Sequence, residues 1–369
     1  RVALSLQRSL LPAATVEEPG AETFGIYLPT VSSAGVGGDW YDVIPLSSLR
    51  LAFVVGDVVG HGLRASATMG RLRTAVQTLA DMDLAPDELL THVDDLVLRL
   101  GMAPGDEAVV GATCLYVEYD PVSGVCRMAS AGHPPPAFVA PDGRARFADM
   151  ETGPPLGIGG MPFEVSELRL EPGSVLALYS DGLVEGTDHD IDSGMRRLLD
   201  NLRQSNCLTQ DLEKVGRDLL NDTAAGSPDD DTTLLLARVR PLPQVDSAEW
   251  ELPADPACVG RARELAMERL AAWGLDELAF TAELVVSELV TNAVRYGGGP
   301  CTLRLLRGKT LICEVSDPSN TQPRLRRART TDEGGRGLFL VAQLTARWGS
   351  RYQQSGKTIW AELQPIPEI

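Results

Sequence analysis

Aspartates stand next to three apolar, strand-like segments that lie far apart in the sequence, and a fourth aspartate lies just upstream of the first segment. Each segment is rich in residues with high strand propensity, and glycine adjoins three of the aspartates. The four residues are Asp39, Asp57, Asp181 and Asp230. Mg²⁺ and Mn²⁺ prefer oxygen ligands, so acidic strand ends that meet in space would form a site for such cations. A pair of these ions activates water and neutralises a phosphoryl group, so these residue types indicate metal-assisted hydrolysis of a phosphoester.

A second group of residues, in the C-terminal part, is suited to bind a nucleotide. Glu288 and Asn292 are four residues apart and share one face of a predicted helix, which can present a base and an amide ligand for Mg²⁺. Asp317 ends an apolar segment, where it can accept a hydrogen bond from an adenine amino group. A glycine-rich segment before another helix offers backbone N–H groups and a helix N-terminus to phosphate. Its glycines are Gly334, Gly335 and Gly337.

The elements that must position these residues follow from the periodicity of the apolar residues. In the first half we predict strands around residues 24–28, 51–55, 113–118, 125–130, 137–140, 175–179 and 232–239. We predict helices at residues 63–80, 86–100 and 195–220. In the second half we predict helices at 256–273, 276–296 and 338–348, and strands at 301–306, 311–316 and 358–363. Both halves therefore mix helices and strands, and the fold class is α+β.

A boundary between two domains is expected near residue 240. The chain has 369 residues, for which two domains are the natural expectation, and two prolines between residues 240 and 250 interrupt the periodic pattern. We predict the end of a connector helix at 1–12, a first domain at 13–240, a linker at 241–252 and a second domain at 253–369. Because the chain begins with Arg1 rather than methionine, we expect a fragment of a longer protein, with the connector helix as a surface for a homodimer.

The composition excludes several classes of function. A net charge of -18 argues against nucleic acid as a direct partner, since phosphate binding relies on basic surface. The six cysteines are scattered without a Cys-x-x-Cys pair, so neither zinc nor disulfides are expected. No apolar segment approaches the roughly 18 residues of a membrane helix and no signal peptide opens the chain, so we expect no membrane partner and a cytoplasmic location.

Five motifs in the first half, taken in order, resemble a known family of enzymes. They are Gly37–Asp42, Gly56–Gly62, Ala131–Pro134, Ser180–Gly182 and Asp230–Thr233. Together they resemble the metal-dependent Ser/Thr protein phosphatases of the PPM family, in the bacterial SpoIIE-type branch, over roughly residues 1–240. The resemblance implies an αββα sandwich with a site for two Mn²⁺ or Mg²⁺ ions.

The resemblance also implies roles for the individual residues. Asp57 would bridge both ions, and the backbone carbonyl of Val58 would face one of them. Asp181 and Asp230 would complete the cluster, and Asp39 would stand at its edge, through water. Catalysis would depend on Asp57, Asp181 and Asp230.

Two histidines and the phosphate contact need separate expectations. His61 and His133 lie in these motifs, and we expect each to be a structural turn residue rather than a catalytic acid. This branch of the family lacks the basic phosphate-binding residue of its eukaryotic relatives, and no substitute stands near the N-terminus. How the phosphate is held stays open at this point.

The second half resembles the GHKL ATPases, and among them the RsbW-type anti-sigma-factor serine kinases. The resemblance implies an α/β sandwich that binds ATP with Mg²⁺, with Glu288 as the base and Asn292 as the magnesium ligand. Asp317 would contact adenine, and Thr358 would support the adenine end. The phosphate loop would comprise Gly334, Gly335 and Gly337. The chain departs from the family after Asp317, where Pro318, Ser319 and Asn320 replace a pattern of alternating glycines.

The two resemblances together predict a bifunctional partner-switching regulator. The first domain would dephosphorylate phosphoserine or phosphothreonine on an anti-anti-sigma protein of the STAS type. The second would phosphorylate that protein or bind a sigma factor, with the arginines between residues 324 and 336 as a solvated lid or as contacts for triphosphate or an acidic partner. An alternative is a C-terminal domain that only binds its partner, without kinase turnover. A third interpretation is a hydrolase of cyclic nucleotides or small phosphoesters.

Overall fold

A computed structural model describes residues 15–29, 37–60, 62–101, 111–185, 190–224, 231–320, 337–353 and 355–365. The predicted connector helix at residues 1–12 and the predicted arginine-rich lid lie outside these residues. The chain forms two compact units, and the boundary between them falls between residues 241 and 242. Among the described residues, no helix combines the length and the apolar character that crossing a bilayer requires.

The first unit contains two mainly antiparallel sheets. Its strands are β1 (Thr15–Glu18), β2 (Ala21–Leu28), β3 (Trp40–Pro45), β4 (Leu51–Val58), β5 (Ala112–Tyr119), β6 (Val125–Ala131), β7 (Ala137–Val139), β8 (Ala145–Phe147), β9 (Thr152–Gly153), β10 (Ser166–Arg169), β11 (Val175–Tyr179) and β12 (Thr232–Val239). One sheet has the order β1-β2-β12-β11-β7-β8, and the other has the order β10-β6-β5-β4-β3 with β9 beside β6. Phe53 and Val117 of one sheet and Leu178 and Leu235 of the other belong to one buried cluster, so the sheets pack face to face.

Two pairs of helices cover the outer faces of this sandwich. They are α1 (Leu63–Ala80), α2 (Pro86–Gly101), α3 (Ile191–Gln204) and α4 (Leu212–Ala224). α1 buries Met69, Leu72 and Val76, which follow the helical period, and burying a side chain such as Leu72 contributes roughly 1.5–3 kcal/mol. α2 has Asp87 and Glu88 in its first turn, where they complement the positive end of the helix dipole. The unit is an αββα sandwich.

The second unit contains one five-stranded antiparallel sheet with helices packed on one face. Its strands are β13 (Ser247–Leu252), β14 (Cys301–Arg307), β15 (Thr310–Asp317), β16 (Arg347–Gln353) and β17 (Gly356–Pro365), in the order β13-β14-β15-β17-β16. Its helices are α5 (Cys258–Ala272), α6 (Ala279–Tyr296) and α7 (Gly337–Leu344). Leu289 of α6 lies in one buried cluster with Leu303, Val315 and Ile359 of the sheet, so alternate residues of each strand face the helices.

The α+β fold class is confirmed, and α1 begins and ends at the predicted residues. The helix predicted at 195–220 is wrong in its middle, because the chain leaves α3 after Gln204 and Asn206 adopts a left-handed conformation with φ 52°. The helix predicted at 338–348 ends at Leu344. Residues from Arg347 onward pair instead with β17, and pairing between distant segments leaves no local signal.

The linker predicted at residues 241–252 is shorter than expected. Ser247–Leu252 forms strand β13 and pairs with β14 along its whole length. Several short strands were also missed, among them β3, which lies directly after Asp39. The sequence of β13 alternates between polar and apolar residues, and Ala248, Trp250 and Leu252 are its apolar residues. This strand signal was overlooked beside the two prolines of the linker.

Candidate active site and nucleotide pocket

The strands of the first unit bring four aspartates to one edge of the sandwich. β3 begins directly after Asp39, and its Trp40 pairs with Gly56 of β4, next to Asp57. In the facing sheet, Tyr179 pairs with Leu234, so the end of β11 before Asp181 lies beside the start of β12 after Asp231. Two pairs of neighbouring strands, one in each sheet, therefore present carboxylates at the same edge.

The pKa shifts of these carboxyl groups indicate how close they lie. Burial raises the pKa of Asp39 well above its usual value, and the charges of Asp57 and Asp181 raise it further, together with a hydrogen bond to Asp57. Burial likewise raises the pKa of Asp57; the hydrogen bond from Asp39 lowers it, and the charge of Asp231 raises it again. Asp39, at 2% exposure, and Asp231, at 6%, are buried. The four carboxylates repel one another in a desolvated place, which is favourable only when cations or protons compensate their charge.

Glycines allow the segments that bear these aspartates to approach closely. A Cβ atom on Gly38 would overlap the backbone carbonyl of Val58, and the Val58 N–H donates to the Gly38 carbonyl at 3.3 Å. A Cβ atom on Gly37 would overlap the carboxylate of Asp231, and one on Gly182 would overlap the Asp231 carbonyl. The glycines of the sequence motifs are therefore required by the space between backbones, since any side chain would separate the carboxylates.

The donor set fits a hard cation in its chemistry. Oδ2 of Asp39 is buried and has no hydrogen-bond partner among the described residues, and a buried oxygen of this kind is costly unless something binds it. Over the described part of the chain, no group of three His, Cys, Asp or Glu side chains stands at the spacing of a preformed metal site. Asp230 and His61 of the predicted site lie outside that part. The described residues therefore supply negative charge and oxygen atoms for a cation, but they do not form a complete set of ligands.

Sequence reasoning missed Asp231. The prediction named Asp230 from the acidic run 229–231, while the described residue whose charge acts on Asp57 is Asp231. The signal was the start of β12 at Thr232, because the residue directly before a strand is held in place by that strand. Asp42, in the same motif as Asp39, serves a different purpose, because it accepts from Arg73 of α1 at 2.9 Å and from Gln77 at 2.7 Å.

His133 links the two sheets beneath the aspartates. It is 1% exposed, and its Nε2 donates to the Tyr179 carbonyl at 2.8 Å while its Nδ1 accepts from the Thr113 hydroxyl at 2.9 Å. Burial lowers the pKa of His133 to about 4, against the opposing effect of the bond to Tyr179. Thr113 is the cross-strand partner of Asp57. A neutral His133 thus connects the strand that ends near Asp181 to the strand beside Asp57, which agrees with the predicted structural role.

In the second unit, the structure brings Glu288 next to the start of α7. A Cβ atom on Gly337, the first residue of α7, would overlap the carboxylate of Glu288. Asn292 lies one turn further along α6, and both side chains are partly exposed. Gly334 and Gly335, the other glycines of the predicted phosphate loop, lie outside the described residues. Glu288, Asn292 and Gly337 therefore share one region, as the sequence predicts.

Asp317 lies at the other end of this region, against the C-terminal end of α6. A Cβ atom on Gly297 would come within 2.8 Å of the Asp317 Cβ and 2.9 Å of its Cγ. Oδ1 of Asp317 accepts from Lys357 Nζ at 3.2 Å and from the Ser319 N–H at 2.9 Å. The side chains of Asp317 and Lys357 are 1% and 5% exposed. The carboxylate predicted to contact adenine is thus already held in a buried ion pair.

Thr358 is not brought to Asp317. It pairs with Ser316 across β15 and β17, and their hydroxyls lie 2.8 Å apart. Asp317 pairs with Lys357, and because successive residues of a strand point to opposite faces, Thr358 lies on the face away from Asp317. Lys357 was missed by sequence reasoning, because residues 356–361 of β17 are all buried and no alternation along the strand marks it.

Two family models match the chain. Residues 47–240 match the model described as Stage II sporulation protein E (SpoIIE). Residues 252–363 match the model described as Histidine kinase-like ATPase domain. The chain thus has a phosphatase-family domain followed by an ATPase-family domain, in the order predicted from the motifs.

Relatives with curated names match part of the chain. Phosphoserine phosphatase RsbU of Bacillus subtilis (strain 168) is 26% identical over 187 residues, which cover 50% of this chain and 52% of that protein. Phosphoserine phosphatase RsbP of the same organism is 27% identical over 157 residues, covering 42% of this chain and 38% of that protein. The chain therefore matches about half or less of the length of these relatives.

A solved structure matches both units together. The RsbU and RsbW domains of Rv1364c from Mycobacterium tuberculosis are 27% identical, with a TM-score of 0.53 and coverage of 95% of each chain. The SiaA-PP2C domain of Pseudomonas aeruginosa is 24% identical, with a TM-score of 0.52, and covers 64% of this chain and 94% of that one. The second likeness concerns the fold alone.

Proposed function

Since the chain belongs to the Stage II sporulation protein E (SpoIIE) family, we propose that residues 13–240 form a metal-dependent phosphatase of phosphoserine or phosphothreonine. The observation that supports this most is the close group of Asp39, Asp57, Asp181 and Asp231, in which Asp39 and Asp231 are buried and each carboxylate acts on the pKa of another. Among ordinary biological solutes, divalent cations are the ligands that stabilise such a group. The names of RsbU and RsbP as phosphoserine phosphatases point the same way.

Asp57, the Val58 carbonyl, Asp181 and the acidic residues before β12 are the groups that would hold Mn²⁺ or Mg²⁺. Such ions supply an activated water and neutralise the phosphoryl oxygens. The other residues of the chain position these ligands. The glycines keep the two sheet edges close, and His133 holds the strands beneath them. Asp39, with one oxygen that no described residue satisfies, is suited to orient a water at the edge of the site.

The proposed substrate of this domain is a phosphorylated anti-anti-sigma protein of the STAS type. The support is the architecture: the Rv1364c structure joins RsbU and RsbW domains, and this chain matches 95% of it. In the same proposal the second unit, residues 253–369, is an RsbW-like domain that phosphorylates the STAS protein with ATP and Mg²⁺ or binds a sigma factor. Glu288 would act as the base and Asn292 as the magnesium ligand.

A second candidate function concerns the C-terminal unit alone. Here it binds its protein partner without kinase turnover. The specific observation in its favour is the ion pair between Asp317 and Lys357, because it engages the carboxylate that adenine recognition would need. The phosphatase proposal is the same in both versions.

Replacing Asp57 or Asp181 with alanine tests the phosphatase proposal. We expect each variant to lose Mn²⁺-dependent release of phosphate from a small aryl phosphoester by roughly a hundredfold or more, because the cation loses a ligand that no neighbour replaces. The matched control is Asp218→Ala, which removes an exposed carboxylate of α4 and should leave the rate within about twofold.

Circular dichroism of all three variants establishes that the fold is kept. Full activity in both Asp57→Ala and Asp181→Ala would contradict the site assignment. Activity that needs no added metal, even after treatment of the protein with a chelator, would contradict the metal-dependent mechanism.

A further inference from the structure

The ion pair between Lys357 and Asp317 is built into the nucleotide region of the second unit. Nζ of Lys357 lies 3.2 Å from Oδ1 of Asp317 and 3.1 Å from Oγ of Ser319. The same Oδ1 accepts from the backbone N–H of Ser319 at 2.9 Å. Both charged side chains are almost fully buried, so the pair is screened little by solvent, and an unpaired charge in its place would be costly.

The backbone holds these two residues opposite each other. Asp317 and Lys357 are direct cross-strand partners in β15 and β17, and such partners point to the same face of the sheet. Gly356, the first residue of β17, has φ 142°. A Cβ atom at Gly356 would overlap the Asp317 carbonyl and come within 2.8 Å of the Pro318 Cα. Lys357 therefore cannot easily move away from Asp317, because the chain before it is fixed by a contact that only glycine permits.

The pair has a chemical consequence for a purine. An adenine amino group is a donor and needs an acceptor at the base end of the pocket, whereas the Lys357 ammonium group is itself a donor without acceptor capacity. The ammonium group and the Ser319 N–H both bind Oδ1 of the carboxylate, so an adenine amino group could bind only through Oδ2. Because the buried ammonium group neutralises the carboxylate, the hydrogen bond that Oδ2 accepts from adenine is weaker than one to an unpaired carboxylate.

We propose that Lys357 is a specificity-determining residue, which neutralises the Asp317 carboxylate at the base end of the nucleotide site and thereby weakens the selection of adenine. The inference rests on the proposed function in one respect, namely that this unit binds nucleotide. It adds that binding depends on the phosphate end, near Glu288, Asn292 and Gly337, and that the identity of the base contributes little. Ser319 is one of the residues that replace the alternating glycines after Asp317. Its backbone N–H donates to the carboxylate that Lys357 neutralises.

Calorimetric titration of the full chain with ATP and with GTP, both with Mg²⁺, tests this inference. For the wild-type protein we expect the two dissociation constants to agree within about threefold, because the neutralised Asp317 carboxylate accepts only a weak hydrogen bond from adenine. For Lys357→Thr we expect ATP to bind at least about tenfold more tightly than GTP, because the freed Asp317 carboxylate accepts from adenine. The matched control is Lys309→Thr, at the exposed turn between β14 and β15, which should behave like the wild type.

The wild-type measurement needs no variant and so holds even when Lys357→Thr fails to fold, which thermal unfolding would show. A wild-type preference for ATP over GTP of about tenfold or more would overturn the inference, as would a folded Lys357→Thr variant that binds both nucleotides equally. Absence of binding by wild type and variant alike, at millimolar ATP and GTP, would instead overturn the nucleotide-binding function on which the inference rests. The two failures are thereby distinguishable.

Discussion

At the scale of single residues, the first unit holds carboxylates close together in a desolvated place, which is favourable only when cations or protons compensate their charge. Asp39 is buried beside Asp57, and burial together with like charge raises the pKa of both carboxyl groups. A structural core would replace such residues with apolar ones, because a desolvated pair of carboxylates destabilises the fold. Retained carboxylates of this kind are characteristic of functional sites.

His133 provides a prediction about pH. Because its folded pKa of about 4 lies below the ordinary value of 6.5, the neutral form is bound in the fold, and stability is lost as the pH falls from 6.5 toward 4. Between pH 7 and pH 5 this group alone should lower the free energy of unfolding of the first unit by about 2 kcal/mol. Hydrogen exchange of amides in β5, β6 and β11, corrected for intrinsic rates, should show protection lower by roughly twentyfold at pH 5.

His133→Gln removes the titrating group while its amide can still donate to the Tyr179 carbonyl. The part of the acid-induced loss that His133 causes should disappear in this variant, although its stability at pH 7 is lower. His92→Gln, at an exposed position of α2, serves as the control and should keep the wild-type pH dependence. An equal loss of protection in wild type and His133→Gln would show that other groups cause the acid sensitivity.

At the scale of elements, the candidate metal site depends on strand ends of the two sheets that approach each other without side chains between them. Ser180 contributes through its hydroxyl, which accepts from the Thr233 N–H at 2.9 Å, while its own N–H donates to the Thr233 carbonyl at 3.0 Å. These bonds bind the turn after β11 to the start of β12. The Ser66 hydroxyl of α1 donates to the Gly37 carbonyl at 2.7 Å, which holds the loop before Asp39 against the helix.

Gly182→Ala tests whether this approach matters for activity. The added Cβ would overlap the backbone carbonyl of Asp231, so the turn that bears Asp181 must move away from β12. Displacements of about 1 Å in a catalytic group cost on the order of a hundredfold in rate, so we expect phosphoester hydrolysis to fall at least about tenfold. The rate at saturating Mn²⁺ is the measurement.

The matched control is Gly101→Ala, the same substitution at the end of α2, where nothing lies within 4 Å of the added Cβ. This variant should hydrolyse the phosphoester at the wild-type rate. Unchanged activity in Gly182→Ala would mean that the turn adapts without moving Asp181, and the close approach would then be a matter of packing only.

At the scale of the whole molecule, each unit has its own hydrophobic core and its own candidate site. Leu289 and Val315 belong to the core of the second unit, and Phe53 and Leu178 to that of the first. The proposed activities oppose each other, because one adds a phosphoryl group to the partner that the other removes. A single chain with both would set the phosphorylation level of its partner by the ratio of two rates.

Transfer of radioactive phosphate from ATP to a STAS protein tests this opposition. In the wild-type chain we expect little label on the STAS protein, since the first unit removes it. In Asp57→Ala the label should rise by roughly tenfold or more, because removal stops while transfer continues. Glu288→Ala in the same background should return the label to the baseline, since the proposed base is lost. Saturating ATP is used throughout.

The outcome also separates the two versions of the C-terminal function. Absence of label in Asp57→Ala at saturating ATP would contradict the kinase activity and favour a unit that only binds its partner. Label that persists after Glu288→Ala would contradict the assignment of Glu288 as the base. The phosphatase proposal is tested independently, by the release of phosphate from a small phosphoester.

The sequence alone was sufficient to determine the fold class, the position of α1 and the order of the two families. These features depend on local periodicity and on motifs such as the one around Asp57, whose residues are neighbours along the chain. The two units, the α+β class and the chemistry of the acidic strand ends could therefore be predicted without coordinates.

The tertiary structure decided which residues meet. The pairing of Tyr179 with Leu234 holds Asp231, at the start of β12, where its charge raises the pKa of Asp57. The pairing of Asp317 with Lys357 places Lys357, and not Thr358, beside Asp317. In both cases the deciding quantity is the register between strands that are distant in sequence, and a shift of one residue exchanges the two faces of a strand. No local pattern encodes that register, because it is set by the packing of both faces at once.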